Sequence, residues 1–431
     1  MSSWRLTGRT VFPDSVRGAT ILVREGVIQA VLDEAEDACS PGFVFPGFID
    51  IHVHAREYAR PRSDDLEATA KWEAATRKET FETAGRAAVN GGVTLMAAMP
   101  NDPEPPDNPE KYNAKLRVAS LSPCPVVLFG AVTKESEPWG EVPYKVYLDS
   151  RPSPVSFTSW RDLEETLTRY RGQHMFFHAE DPEVLRKASG NSLLRKNRPP
   201  EAEIRAVEKL LEMIARLGLR GHMCHVSTRR AVELIQDYNS GTSRAVTCEV
   251  TPHHLFFSVQ SGEVRSAPGA PVEASHLLGC NPPLRSESDR GFLVEALRDG
   301  LIDVLASDHA PHTLEDKAQG APGMPHLDTL GPFAGWLINE CAFSPTRISE
   351  ILSQTPGRIL APYLDKPQGV IEQEQCASFT VLDLQRSTLV EGAEIPGRGR
   401  LCTRCGWSPF SRLKLPAVVG RTVIQGRDYV F

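Results

Sequence analysis

The chain has 431 residues, 41% of them hydrophobic, and 48 Lys and Arg stand against 55 Asp and Glu for a formal net charge of -7. That balance supplies no basic surface to make nucleic acid the default partner, and no apolar run approaches the ~20 residues needed to cross a bilayer. The start, MSSWRLTGRTVF, lacks a cationic stretch followed by an apolar core, so the cytoplasm is the expected compartment, and nine scattered cysteines do not make a disulfide framework.

Residues 1–46 read as short strands with turns (WRLTGRTVF, GATILVREGVIQAVL), and from about residue 366 the same style returns in ASFTVLDL and AVVGRTVIQGRDYVF. The two ends are expected to pack as a small β-sandwich domain, 1–46 with 366–431, beside a central unit spanning 47–365.

The central unit opens with VFPGFIDIHVH, an apolar run that ends in His52 and His54. In a strand, residues i and i+2 share a face, so both imidazoles can converge on one metal ion while Val53 packs the other way. The same grammar, an apolar run ending in a ligand-type residue, recurs at Lys145 in YKVYLD, His178 in QHMFFHAED, His225 in GHMCHVST and Asp308 in IDVLASDHAPH. GGVTLMAAMPN, VVLFGAV and AVTCEVTPHHL bring the apolar runs to eight. Each is short and bounded by turn or charged residues, as expected of strands buried on both faces of a parallel sheet. Helix-like stretches such as WRDLEETLTRY, EAEIRAVEKLLEMIARLG and SDRGFLVEALRDG separate many of them. The alternation predicts an α/β fold, a (β/α)8 barrel, whose catalytic residues lie at the C-terminal ends of the strands. All the ligand candidates fall there.

His52, His54 and Asp308 come from the first and last strands, which become neighbours when a barrel closes. His178 and His225 come from strands five and six, and Lys145 stands between the two groups. An ammonium cannot ligate a cation, but a lysine that has reacted with carbon dioxide becomes a carbamate with two oxygens able to bridge two ions. Such ions would sit about 3.5 to 4 Å apart, and imidazole with carboxylate suits zinc. Taken alone, Lys145 reads as a surface lysine on a sheet edge. Cys402 and Cys405 form a CxxC without the second pair that a structural zinc site usually needs.

As a set, PGFIDIHVHAREY, GGVTLMAAMPND, YKVYL, FFHAED, CHVS, TCEVTPHHLF, NPPLR, SDHAPHTLEDK and CGWSPF resemble the dihydroorotases of the cyclic amidohydrolase superfamily, in the family's order. The last barrel motifs are similar to the dihydroorotase domain of the animal pyrimidine-synthesis polyprotein and its bacterial relatives. The resemblance implies two Zn2+ per chain, one held by His52, His54, Lys145 and Asp308 and the other by carboxylated Lys145, His178 and His225. It implies a small-molecule substrate, with N-carbamoyl-L-aspartate and L-dihydroorotate interconverted reversibly in pyrimidine biosynthesis through hydroxide attack on the ring amide, Asp308 carrying the proton.

Arg56, Asn101 and His312 match the positions that bind the substrate carboxylate, and a planar guanidinium is suited to that task. Allantoinases and hydantoinases resemble the same barrel but usually lack this arginine and the MPN sequence. An inactive partner of aspartate transcarbamoylase should have lost metal ligands, which this chain keeps. A homodimer and an association with that transcarbamoylase are left open.

The segment 58–85 is longer and more polar than in the family and is expected to form an enlarged loop near the mouth. Segment 149–159 takes the place of a substrate-covering lid, with Thr158 or Ser153 as its hydroxyl. Cys224 and Glu249 read as residues supporting the ligands, or with His52 as an accessory metal site.

Overall fold

The computed structural model describes residues 3–34, 40–190, 197–242, 245–261, 263–267, 272, 274–391, 394–395 and 399–430. Eight parallel strands follow one another around a barrel: Phe48–Val53, Val93–Ala98, Val126–Leu128 continued by Gly130–Ala131, Tyr144–Leu148, His174–His178, Arg220–Met223, Thr247–Val250 and Val304–Leu305. A parallel bridge between Val53 and His309, with His54 N donating to His309 O at 2.8 Å, brings the last strand back to the first. The barrel is therefore closed, and His52, His54 and Asp308 become neighbours.

The interior is small and apolar. Ile49, Ile51, Leu95, Ala97, Val127, Phe129, Phe176 and Val304 pack there, whereas Val53 joins the outer core between sheet and helices. A strict two-residue alternation would send Val53 inward with Ile49 and Ile51. The register shift between Asp50 and Val53 breaks that parity. Asp50 Oδ1 accepts from the backbone amides of His52 at 3.1 Å and Ser307 at 3.0 Å, pinning the irregular stretch to the last strand. One strand thus supplies apolar filling below and two imidazoles above.

The helices cover the outside. Pro200–Leu217 buries Ala206, Val207, Leu210 and Ile214 at three- and four-residue spacing and ends at Gly218 in the left-handed conformation. Trp160–Leu167 and Glu287–Arg298 form where the sequence pattern predicts them, each capped by a serine side chain, Ser159 and Ser286. Segment 58–85 departs from the expected loop. It holds the helix Leu66–Thr76, capped by Asp65, and the first half of the helix Phe81–Asn90.

The chain ends meet in one seven-stranded sheet ordered Arg427–Val430, Val418–Ile424, Phe379–Asp383, Ser40–Pro46, Ser3–Val11, Val16–Arg24 and Val27–Asp33. It grips the barrel at the N-terminal ends of the first two strands: Thr380 Oγ1 accepts from Phe48 N at 3.1 Å and donates to Gly92 O. The strand ends that carry His52, His54, His178 and Asp308 are left to the opposite rim.

Gly91, which caps Phe81–Asn90, allows a close approach of that turn to the 3-10 turn Leu327–Thr329; a Cβ there would collide with the Leu327 carbonyl. Gly91→Ala is expected to cost about 3 kcal/mol, since overpacking against backbone has little room to relax. A denaturation midpoint equal to that of the wild type would show that the turn gives way freely.

Candidate active site

Four imidazoles gather at the C-terminal rim. Ring centroids of His52 and His54 are 5.2 Å apart, those of His52 and His225 5.2 Å, and those of His178 and His225 4.7 Å. Asp308 Oδ1 lies 3.1 Å from His54 Nε2 and 3.4 Å from His52 Nε2. Lys145, fully buried, places Nζ 2.8 Å from Cys224 Sγ.

Three of the four imidazoles are held from behind. Glu249 binds His52 Nδ1, and its other oxygen meets His222 Nε2 at 3.1 Å. Asn101 Oδ1 sits 2.6 Å from His54 Nδ1. Both rings thus turn Nε2 toward Asp308, the orientation a carboxylate or amide acceptor imposes on a metal-binding histidine. Glu180 meets His178 Nε2 at 3.0 Å and is itself clamped by the Arg198 guanidinium at 2.6 Å, which leaves His178 Nδ1 facing His225 Nε2 at 3.0 Å.

The electrostatics follow from burial. Desolvation pushes His54 down to about 3, against the pull of Asp308, and drives His225 well below its usual range. Their rings stay neutral and keep lone pairs available. Burial opposes the charge on His52 too, but the Glu249 carboxylate overrides it and raises the ring to about 10. Asp308 is pushed up by burial and pulled further down by His52 and His54, to about 2, so it is ionised.

These residues fit a metal centre, whose binding at His52 would take the place of the proton that Glu249 and Asp308 favour on that ring. Donor atoms of His52, His54 and Asp308 lie within 4.8 Å of one another, as do those of His52, Cys224 and Glu249. Lys145 has no carboxylate within salt-bridge distance among the described residues, an unfavourable setting for a bare ammonium.

Arg56, His225 and Asp308 share a further feature: positive φ angles of 62°, 36° and 45°. Such backbone is costly for residues with a Cβ, and at a strand end it re-aims the side chain over the barrel mouth. Arg56 is half-buried, with one terminal nitrogen 3.3 Å from His312 Nε2 and its buried Nε without a partner. Glu57, its sequence neighbour, accepts instead from Phe81 N. His312, pushed by burial and by Arg56 to about 2, is neutral.

A cavity of about 520 Å³ opens over this cluster, and Arg56, Asn101, His312 and Asp308 line it together with His52, His54, His178 and His225. Segment 149–156 forms one wall through Asp149 and residues 151–156, Ser153 among them, whereas Thr158 does not reach the lining. No residue of segment 58–85 lines the cavity among the described residues. Its Glu79 instead meets His309 Nε2 at 3.1 Å, behind Asp308.

Several contributors have no signal of their own in the sequence reading. Asn281 lines the cavity with its Oδ1 unpartnered. Arg198 joins Glu180 to Asp149 at 3.0 Å and so ties His178 to the cavity wall. Asn281 and Glu180 lie within the NPPLR and FFHAED motifs, which could have pointed to them, but Arg198 lies in no motif.

A closed parallel barrel with these side chains at its C-terminal rim defines an amidohydrolase, and residues 43–136 match the Amidohydrolase family. The chain is 31% identical over 422 residues to the dihydroorotase of Archaeoglobus fulgidus, covering 94% of this chain and 92% of that one. It is 30% identical over 431 residues to the dihydroorotase of Thermococcus kodakarensis, covering 98% and 93%. The chain belongs to the dihydroorotase family. Among solved structures, the L-hydantoinase (dihydropyrimidinase) of Arthrobacter aurescens superposes with a TM-score of 0.82 at 23% identity, covering 98% of this chain and 96% of that chain. A D-hydantoinase from Thermus sp. gives 0.77 at 19%, covering 98% and 94%. These likenesses carry the fold alone.

Proposed function

We propose that the protein is a dihydroorotase, closing N-carbamoyl-L-aspartate to L-dihydroorotate and reopening it with water. The observation that carries this reading is the placement of Arg56 beside His312, with Asn101 on the same cavity, next to the four-histidine cluster. A substrate ring that carries a carboxylate besides the reacting amide needs that juxtaposition. A plain cyclic ureide does not.

His52, His54 and Asp308 would hold one zinc ion and His178 with His225 the second, Lys145 bridging them as a carbamate. When bound, the ions supply Lewis acidity toward the ring carbonyl and lower the pKa of water. Glu249, Asn101 and Glu180 orient the imidazoles. Arg56 donates to the substrate carboxylate, and the Asn101 amide NH2 is free to join it because its oxygen is used by His54. Asp308 contacts the imidazoles through Oδ1, leaving its second oxygen to take the proton of the attacking water and pass it to the departing ring nitrogen. Ring closure runs the same transfers backward with loss of water.

The proposed organisation is a barrel domain of residues 47–365 with a domain built from 1–46 and 366–431. No helix among the described residues is long and apolar enough to cross a membrane, in keeping with a cytoplasmic enzyme. A purified sample assayed with carbamoyl aspartate, dihydroorotate, hydantoin and allantoin tests the reading. Turnover of hydantoin or allantoin without dihydroorotate would reject it in favour of another cyclic-ureide hydrolase.

Arg56→Met is expected to lower kcat/KM for dihydroorotate by ~100-fold, about 3 kcal/mol for removing a charge-assisted hydrogen bond from a desolvated site. Zinc content should not change. Wild-type turnover by this variant would remove Arg56 from the carboxylate site.

A further inference from the structure

The motif SDHAPHTLEDK ends in a lysine that the reaction does not use. Lys317 lies in the short helical turn capped by Thr313, and it is only 2% exposed. Its Nζ donates to three backbone carbonyls: Gly279 at 3.0 Å, Ala321 at 2.8 Å and Gly323 at 2.8 Å. An ammonium has three N–H donors. Every proton therefore has an acceptor, and no carboxylate is needed to hold the group in place.

The acceptors belong to two loops that form walls of the cavity. Gly279 precedes Asn281 by two residues, and Ala321 and Gly323 flank Pro322; Asn281, Pro322 and Gly323 all line the cavity. Gly323 N also donates to Gly279 O at 2.8 Å, so the loops meet directly at the carbonyl that Lys317 holds. Trp407 closes the arrangement from the C-terminal segment. Its ring lies 5.8 Å from Lys317 Nζ, and its Nε1 donates to His312 O at 2.7 Å.

We propose that Lys317 is a positioning residue for the substrate site, its ammonium holding the loop of Asn281 and the loop of Pro322 and Gly323 in register at the cavity wall. The inference rests on the reading of that cavity as the substrate site. Removing the ammonium takes a donor from the buried Gly323 carbonyl and from the part-buried carbonyls of Ala321 and Gly279, and leaves Gly323 N to Gly279 O as the hydrogen bond still joining the two loops, so their register loosens. The metal ligands sit on strand ends outside both loops, so binding of substrate suffers and metal binding does not.

The test compares Lys317→Met and Lys317→Arg with zinc-loaded wild type, reading metal content, kcat and KM for dihydroorotate, and amide exchange in peptides covering 279–283 and 320–324. Lys317→Met is expected to keep its zinc, to raise KM by ~10-fold or more with kcat within ~3-fold, and to speed exchange in those two peptides alone. Lys317→Arg, which retains charge and donors, should recover most of the loss. Wild-type KM with wild-type exchange overturns the proposal, as does a loss spread over zinc content and the whole exchange map. Should Lys317→Met fail to fold, Lys317→Gln, with two N–H donors for three carbonyls, tests the proposal on the same readouts. The exchange result needs no substrate. A wild type that does not turn over dihydroorotate would defeat the functional reading and leave the clamp to be judged on exchange.

Discussion

Lys145→Ala is expected to lose metal and activity together. The side chain is fully buried on the strand Tyr144–Leu148, between the group from strands one and eight and the pair from strands five and six, with Cys224 Sγ as its near contact at 2.8 Å. A charged ammonium in that position would repel any ion bound by the surrounding imidazoles. A carbamate reverses the sign of the charge and supplies two oxygens. Removing it should lower turnover by on the order of 10³-fold or more, the scale of losing a group that organises charge in the transition state. Zinc content should fall in parallel, and small carboxylic acids that refill the space should restore part of both. A variant that keeps full zinc and full activity would reject the bridging role, and one that loses activity with zinc intact would make Lys145 a proton donor or substrate contact.

Much of the site is legible in the sequence because its side chains obey local rules. His52 and His54 are two apart at the end of an apolar run, and the recurrence of that pattern at His178, His225 and Asp308 turns separate weak signals into a barrel rim; Lys145, expected at a run's end, is instead the second residue of the strand Tyr144–Leu148 and reaches the group through its long side chain. What stays hidden depends on distant partners. The parity break that lets Ile49 and Ile51 fill the barrel while His52 and His54 face the cavity relies on Asp50 binding the amide of Ser307, far along the chain. The orientation of His178 depends on Glu180 and, behind it, Arg198, which carries no periodic or motif signal.

Segment 58–85 reads as a loop for a different reason. The helix Leu66–Thr76 buries only Ala75 and Thr76, so no apolar stripe marks it. Its one local signal is Asp65, whose side chain accepts from Ala68 N at 2.9 Å as an N-cap. The positive φ angles of Arg56, His225 and Asp308 likewise carry little signal in residue identity, since none is a glycine and even Asp and His adopt such backbone only uncommonly. They arise where the closed barrel overrides local preference to aim a functional side chain.

Asp308→Asn separates ligation from proton transfer. Asparagine keeps an oxygen to face His52 and His54, where Asp308 Oδ1 now stands at 3.4 and 3.1 Å, but it has no carboxylate to accept a proton. The wild-type carboxyl, held to about 2 chiefly by His52 and His54 against the upward push of burial, is ionised and ready to act as the base. Its folded pKa is depressed, so the ionised form persists as pH falls toward about 2, and neutral-pH assays read the base form alone. On the proposed mechanism this carboxylate would take the water proton and return it to the ring nitrogen in the hydrolytic direction, and in the closing direction would take the proton from the ureido nitrogen and return it to the departing water. The same atom serves both directions, so the variant should lose both rates together, by ~10³-fold or more if proton transfer and charge positioning fail at once. Zinc should be retained at least in part. Both rates and zinc content measured on one preparation decide the matter: a metal-replete Asp308→Asn with near-normal rates would leave Asp308 a ligand only, whereas rates lost strictly in proportion to zinc would assign the whole effect to metal binding.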